Sequence, residues 1–219
     1  MRDLSKVKLG VALPNVQDTY PSQFVDSFCR ITKPSHLYLK PTGGGPIDAV
    51  RNDLVLKAMA CDCTHIWMTD TDQVYPQDTL MRLLEHDVDI IAAKVHKRYP
   101  PYDPILFRGT IDNFDSVPDE EWSKDGGQTV EVDATGFGSV LINMEVFEKI
   151  ERPWFNFDLY NFDSPVGEDI GFYLKAREAG FRVFVDCSIK IGHLVRMVVN
   201  EESYFAYKEV LDGKPGIKL

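Results

Sequence analysis

The sequence predicts a single-domain α/β protein with a mostly parallel sheet, helices on its faces and a small antiparallel portion. Short apolar runs alternate with segments of helical spacing up to about residue 95, which is the rhythm of a doubly wound sheet. The chain has 219 residues, 44% hydrophobic and 26% charged, as in an ordinary globule with one well-buried core. No stretch rich in proline, glycine or serine is long enough to separate two domains.

The first part of the chain is predicted to alternate strands with helices. Strands are expected over Lys6–Leu13, His36–Leu39, the apolar run beginning at His65, and Asp89–Val95. Helices are expected over Gln23–Ile31, Ile47–Ala60 and Pro76–His86. In the first helix Phe24, Val25 and Phe28 are expected to pack inward, and Pro76 suits the first position of the third helix.

The pattern changes after Val95. The segment KRYPPYD (Lys97–Asp103) predicts a proline-tyrosine loop, and the acidic stretch Asp112–Gln128 predicts a mobile surface loop. Further strands are expected over Ile105–Thr110, Thr129–Asp133, Val140–Ile142 and Phe181–Asp186, with extended backbone continuing to His193. Helices are expected over Met144–Ile150, from Ser164 as N-cap and Pro165 as first residue to Ala179, and over Asn200–Leu211.

Charge and cysteine content exclude several classes of protein. A net charge of -10 argues against a sequence-independent nucleic-acid binder, which needs a basic face. The cysteines contain no C-x-x-C pair, so a structural zinc site is not expected and reduced thiols are: Cys29, Cys61, Cys63 and Cys187. No signal peptide follows Met1 and no apolar run approaches the ~18 residues of a membrane span, so we expect a soluble, cytoplasmic protein.

The chain is organised around the stretch from His65 to Asp72, in which an apolar run ends at Asp70-Thr71-Asp72. On extended backbone alternate side chains share a face, so Asp70 and Asp72 are expected to point the same way. Two carboxylates at the carboxyl end of a strand form a hard-oxygen site for Mg²⁺ or Mn²⁺ at the edge where open α/β sheets bind ligands. The alternative is a polar turn with an aspartate that caps a helix.

Arg51 and two glycines are further candidates. Near the start of its helix, Arg51 could reach a pyrophosphate or brace an aspartate, or it could be a surface residue paired with Asp48 or Asp53. Gly136 and Gly138 bracket a strand start, which indicates close approach of backbone or ligand, or else a bulge.

The aromatic segment that begins at Trp154 contains asparagine and aspartate between its rings. Such a segment fits either the core or a saccharide-binding wall on which rings stack. Further along, Glu168 and Asp169 lie in a first helical turn, where the helix dipole stabilises carboxylates. Acids at helix starts are common for this reason, so taken alone the motif favours simple capping over a functional role. His193 follows a glycine after an extended run, and is either a turn residue or an imidazole ligand for a metal.

Together these stretches resemble the GT-A fold glycosyltransferases, in particular the small family-2-like enzymes of bacteria and phages. The resemblance covers about residues 6–194 and follows the family's order of motifs: Pro14, Arg51-Asn52, Asp70–Asp72, Gly136–Gly138, Gly167–Asp169 and Gly192-His193. It implies a nucleotide-sugar half over about 1–95, an acceptor and catalytic half over about 96–195, and a C-terminal helix and tail over 196–219.

The resemblance implies a role for each motif. Asp72 would bind Mn²⁺ or Mg²⁺ directly, with His193 as a further ligand, and Asp70 would hold the donor's ribose or sugar or join the metal through water. Arg51 would brace the pyrophosphate of a UDP- or GDP-linked sugar. Substrate would also contact Pro14, Gly136, Gly138 and Trp154.

The resemblance also implies the chemistry. Asp169 would be the general base, with an ordinary or low pKa near the helix dipole, that deprotonates the hydroxyl of a saccharide or other acceptor; Glu168 would orient the substrate. With a carboxylate base we expect an inverting transfer. A single sugar should be moved, since no Q-x-x-R-W motif of processive members is present. Donor, acceptor and oligomeric state are not fixed by the sequence.

Two alternatives belong to other classes. A sugar-phosphate nucleotidyltransferase also combines an α/β sheet with acidic metal ligands, but carries a glycine-rich basic loop after the first strand, which the segment 14–22 lacks. A non-catalytic carbohydrate-binding protein could keep the fold, although retention of the acidic motifs and His193 argues against it.

Overall fold

A computed structural model describes residues 4–158 and 166–212. The α-helices in these ranges are α1 (Ser22–Arg30), α2 (Ile47–Ala60), α3 (Thr79–Glu85), α4 (Asp119–Trp122), α5 (Glu145–Lys149), α6 (Glu168–Glu178) and α7 (Glu201–Asp212). Short 3₁₀ turns cover Leu4–Lys6 and Lys124–Gly126.

The strands in the same ranges are short, between two and five residues each. They are β1 (Leu9–Ala12), β2 (His36–Leu39), β3 (His65–Thr69), β4 (Gln73–Val74), β5 (Ile90–Ala93), β6 (Leu106–Thr110), β7 (Asn113–Ser116), β8 (Thr129–Val132), β9 (Ala134–Thr135), β10 (Ser139–Asn143), β11 (Val183–Asp186) and β12 (Gly192–His193).

The central sheet of the described chain has seven strands in the order β2-β1-β3-β10-β5-β11-β8. Strands β2, β1, β3, β5 and β11 run in one direction, and β10 and β8 run against them. The predicted mostly parallel sheet is therefore confirmed. Strand β10 lies between β3 and β5, where Leu141 is opposite both Trp67 and Ile91.

Two small antiparallel sheets complete the strand pairing. One has the order β7-β6-β9, and the other joins β12 to β4. The second pairing places His193 opposite Gln73, immediately after Asp72. This pair of two-residue strands is what brings a late segment of the chain to the end of β3.

The core lies on both faces of the central sheet. Strand β3 is buried along its whole length, so Ile66 and Met68 pack on one face and Trp67 packs on the other, near Phe28. Helices α2, α5 and α6 cover the first face and α1 and α3 the second. Full burial of a large apolar side chain contributes about 1.5–3 kcal/mol to stability. Burial of these side chains therefore fixes strand β3 in the sheet, and with it the start of the loop that follows Thr69. None of the described helices is both long and apolar enough to span a bilayer.

Several predicted local features differ in the structure. The stretch 112–128 is mostly exposed, as expected of a surface segment, but it contains β7, α4 and a 3₁₀ turn, and Val117 packs in the core at 3% exposure. Val25 is 42% exposed rather than packed inward. After β11 the chain turns at Cys187-Ser188 instead of remaining extended, with the Ser188 amide donating to Asp186.

Two helix starts also differ. Helix α3 begins three residues after Pro76, and the hydroxyl of Thr79 donates to the Pro76 carbonyl at 2.8 Å, so proline belongs to the preceding turn. Helix α6 begins at Glu168 with Gly167 as its N-cap. The predicted start at Ser164 and Pro165 lies outside the described residues.

Candidate active site

A cleft of about 1130 Å³ opens at the carboxyl ends of β1 and β3. Its walls come from the loop after β1 beginning at Pro14, the start of α2 with Arg51, the turn Asp70–Asp72, Arg98, and the segment Leu194–Arg196. This is the edge at which open α/β sheets bind ligands. Pro14, Arg51, Asp70 and Asp72, all predicted site residues, therefore lie on one cleft.

Asp72 and His193 lie side by side although 121 positions separate them in sequence. The Nε2 atom of His193 is 3.4 Å from Oδ2 of Asp72. The amide of Leu194 donates to the Asp72 carbonyl at 2.8 Å, which extends the β4–β12 pairing to this turn. The imidazole is oriented from behind, since its Nδ1 atom is 2.6 Å from the carbonyl oxygen of His96.

This orientation decides what His193 presents to Asp72. The carbonyl of His96 can only accept, so Nδ1 carries the hydrogen, and Nε2 of a neutral ring presents a lone pair to the carboxylate. Two lone pairs face each other stably only with a proton or a cation between them. Burial opposes the charged ring, but the contacts with Asp72 and His96 outweigh it and raise the pKa of His193.

The predicted set of three metal ligands is only partly assembled. Among residues 4–158 and 166–212, no group of three or more His, Cys, Asp or Glu side chains is arranged to hold a metal. Strand β3 ends at Thr69, so the alternation expected to aim Asp70 and Asp72 together does not continue to Asp72. Asp70 turns to Arg51 instead, with Oδ1 3.4 Å from Nη2. The remaining pair, one carboxylate and one imidazole, is a donor set that fits Mn²⁺ or Mg²⁺.

Arg51 is a buried brace between two parts of the site. Its side chain is 5% exposed, and its guanidinium donates to Glu168 and lies near Asp70. The same group lies 4.8 Å above the ring of Phe137, a cation–π distance. Of the readings open from sequence, bracing an aspartate is the one observed. The alternative partner Asp53 pairs with Lys57 at 3.0 Å.

The carboxylates of Asp70, Glu168 and Asp169 surround Arg51 and outnumber its single positive charge. Burial raises the pKa of each of them, and attraction to Arg51 only partly offsets it. The expectation of an ordinary or low pKa for Asp169 is therefore wrong, because burial and the charge of Asp70 outweigh the amide of Ile170 that donates to its Oδ1 at 2.8 Å. Of the three carboxylates only Asp70 lines the cleft, and the surplus negative charge favours a cation near it.

The two predicted substrate-binding glycines contact protein rather than open space. A Cβ on Gly136 or Gly138 would lie 2.9 Å from the side chain of Val95, so both glycines are required by packing against this valine. The carbonyl of Gly138 also accepts the Asp70 amide at 3.1 Å. Between them, Phe137 supports Arg51. This motif packs beneath the site, and none of its three residues is among those that line the cleft.

Trp154 corrects another prediction. It is 1% exposed, and its indole N–H donates to the Phe147 carbonyl at 2.9 Å. Its ring packs edge-on against Phe147 in the core. Trp154 therefore cannot be a saccharide wall, because the packing of α5 beneath the segment removes it from the surface.

Sequence reasoning missed three residues at the site. Nη1 of Arg98 lies 3.0 Å from Oδ2 of Asp72, and Arg196 lines the cleft beside it. The Tyr75 hydroxyl lies 2.7 Å from the carbonyl oxygens of both Asp70 and Gly138. The basic character of the KRYPPYD loop was a usable signal for Arg98. Nothing in the sequence around Tyr75 distinguished it from a core tyrosine.

Comparisons with known proteins were made by sequence and by fold. No protein-family model matches the chain, and no curated protein matches it. The crystal structure of A197 from STIV superposes with a TM-score of 0.57 at 15% identity, covering 87% of this chain and 86% of A197. GalNAc-T7, solved with UDP, GalNAc and Mn²⁺, superposes with a TM-score of 0.57 at 12% identity, covering 87% of this chain. The match spans 44% of the GalNAc-T7 chain.

At these identities the comparisons show the fold alone, and the fold is GT-A-like. The cleft at the end of β3, the Asp72–His193 pair and the Arg51 brace lie on that fold. Together they bring carboxylates, an imidazole and guanidinium groups close to one another at this edge of the sheet.

Proposed function

We propose that this protein is a metal-dependent glycosyltransferase that moves one sugar from a nucleoside diphosphate donor to a hydroxyl acceptor. The observation that carries the proposal is the meeting of Asp72 with His193 at a cleft of about 1130 Å³ on a GT-A-like fold. A cleft of this size accommodates a nucleotide-sugar, since pockets for drug-sized ligands are about 300–1,000 Å³.

Asp72 and His193 would hold Mn²⁺ or Mg²⁺, which when bound offsets the charge on the departing nucleoside diphosphate. The hydrogen bond from His193 to the His96 carbonyl keeps the lone pair of Nε2 directed at that position. Arg51 fixes the Asp70 carboxylate, which in this proposal accepts hydrogen bonds from the donor's ribose or sugar.

Asp169 is the proposed general base. Its raised pKa favours proton transfer from the acceptor hydroxyl, because a base is most effective when its pKa is near the working pH. Glu168, held by Arg51, would orient the sugar. Attack by the deprotonated hydroxyl directly on the anomeric carbon gives an inverting transfer.

Two further lines support the proposal. GalNAc-T7 was solved with UDP, GalNAc and Mn²⁺, the three kinds of ligand that the cleft is proposed to take. The order of motifs along the chain favours a family-2-like enzyme with a UDP- or GDP-linked donor. The donor half is proposed to cover about residues 1–95, and the acceptor half about 96–195, followed by the C-terminal helix and tail.

A panel of UDP- and GDP-linked sugars with Mn²⁺, read by release of the nucleoside diphosphate, tests the proposal. Mn²⁺-dependent release from one donor, suppressed by EDTA, is the expected result. Thermal stabilisation by nucleoside triphosphates only would indicate a nucleotidyltransferase instead. Stabilisation by a saccharide, with no release from any donor, would indicate a carbohydrate-binding protein.

A further inference from the structure

One carboxylate oxygen of Asp72 has two basic side chains as neighbours. Nη1 of Arg98 lies 3.0 Å from Oδ2, and Nε2 of His193 lies 3.4 Å from the same atom. Arg98 is the nearer of the two. A metal ion that binds to Oδ2 would therefore compete with Arg98 for this oxygen.

Arg98 is free to move whereas Arg51 is not. The side chain of Arg98 is 63% exposed, against 5% for Arg51. Its loop is fixed at the base, where the amide of Lys97 donates to the Asp103 carbonyl at 2.9 Å. An exposed ion pair contributes little to stability, so its partner can be exchanged at small cost.

A second arginine lies on the wall of the cleft with Arg98. Arg98 and Arg196 are exposed guanidinium groups on its wall, next to the carboxylate turn. A planar guanidinium binds phosphate through two parallel hydrogen bonds. An incoming diphosphate would meet these arginines at the same place where a cation meets Asp72.

We infer that Arg98 is a diphosphate-binding residue that occupies Asp72 as a stand-in cation when the cleft is empty. When a divalent cation binds Asp72, Arg98 is released to the phosphates of the donor. The inference rests on the proposed function, because it assigns the diphosphate and the cation to this cleft. It predicts that Mn²⁺ and nucleoside diphosphate bind cooperatively. Whichever ligand binds first breaks the Arg98–Asp72 ion pair, so the second ligand binds without that cost.

The variant Arg98→Gln should change the affinity for Mn²⁺ and the affinity for the nucleoside diphosphate in opposite directions. Removing the competitor should tighten the binding of Mn²⁺ alone by about 3- to 10-fold, while UDP or GDP at saturating Mn²⁺ should bind about 10-fold more weakly. Both dissociation constants can be measured by isothermal titration on the whole protein. Arg98→Lys keeps the charge without the fork, so it should bind Mn²⁺ as the wild type does and recover only part of the diphosphate affinity.

Arg182→Gln is the matched control, because Arg182 is 66% exposed and pairs with Glu131 at the far edge of the sheet. It should change neither constant. Weaker Mn²⁺ binding by Arg98→Gln, or no change in either constant, would overturn the inference but leave the proposed function in place. A wild type that binds neither Mn²⁺ nor a nucleoside diphosphate would overturn both.

Discussion

The guanidinium of Arg51 and the carboxylate of Glu168 form a buried ion pair that joins α2 to the first turn of α6. The pair spans 117 positions of sequence, and the second arm of Arg51 reaches Asp70 at the end of β3. One side chain thus fixes the relative positions of two acidic motifs on different elements. This brace and the neighbouring Asp72–His193 pair together define the candidate site.

Arg51→Ala should be strongly destabilising. Loss of the guanidinium leaves the carboxylates of Glu168 and Asp70 without their buried counter-charge, which typically costs about 3–5 kcal/mol. The free energy of unfolding from urea titration measures the effect. Arg30→Ala, which removes an exposed pair with Asp26, should change it little. A similar loss for both variants would show that Arg51 is not a buried brace.

Substitutions of Trp154 test whether this residue is part of the core or of a saccharide-binding surface. Trp154→Ala should reduce the free energy of unfolding by about 3–5 kcal/mol, whereas Trp154→Phe should keep donor binding at the wild-type level. Phe157→Ala, at a 39% exposed aromatic of the same segment, is the stability control. Loss of saccharide or donor binding in a folded Trp154→Phe protein would instead indicate that Trp154 contacts the saccharide.

Asp169→Asn should lower turnover by about 10²–10⁴-fold and leave nucleoside diphosphate binding intact, as expected for a general base. Because the pKa of Asp169 is raised, kcat/KM of the wild type should decrease on acidification. The decrease should begin at a pH above the ordinary aspartate pKa of about 3.9. The base must be ionised, so activity is lost as pH decreases through that raised pKa. An acid limb at or below pH ~4, or unchanged turnover in the variant, would remove Asp169 from this role.

The pH dependence of stability should reveal a second buried carboxylate, Asp186. It is 4% exposed and lies 3.0 Å from His86 and 3.5 Å from Arg82. Burial alone would raise its pKa, but contacts with His86, Ser188 and Arg82 lower it overall. A depressed native pKa stabilises the fold above the unfolded value of about 3.9, and this contribution disappears as pH falls through the lower native pKa.

Asp186→Asn should therefore unfold more easily than the wild type at neutral pH, and the difference should narrow as pH falls below about 4. Urea titrations at several pH values measure it. Asp26→Asn, at an exposed carboxylate, should show no such convergence. A difference that stays constant with pH would contradict the ionised, partnered state of Asp186.

Local signals in the sequence predicted much of this structure. Helix α2 spans Ile47–Ala60 as expected, because Pro46 precedes it and Val50, Leu54 and Ala58 repeat at helical spacing on its buried face. The strand β2 also has its expected bounds, His36–Leu39. Elements with a strong apolar period and clear breakers at their ends were the predictable ones.

Features that depend on long-range packing were not predictable in the same way. From the sequence, Trp154 could be a core residue or part of a saccharide-binding surface. The position of α5, whose Phe147 carbonyl accepts the indole N–H, shows that it is a core residue. The alternation expected at Asp70 and Asp72 fails because pairing ends β3 at Thr69. The proximity of His193 to Asp72 came from the resemblance, since no local pattern connects residues so far apart.

The central claim is that Asp72 and His193 jointly hold a divalent cation against a diphosphate. Anomalous diffraction from a crystal of the protein with Mn²⁺ and UDP or GDP tests it most directly. We expect an anomalous peak within about 2.5 Å of both Oδ2 of Asp72 and Nε2 of His193, with phosphate oxygens on its open side. A diphosphate bound in the cleft with no peak between these two residues, or with the peak elsewhere, would contradict the account.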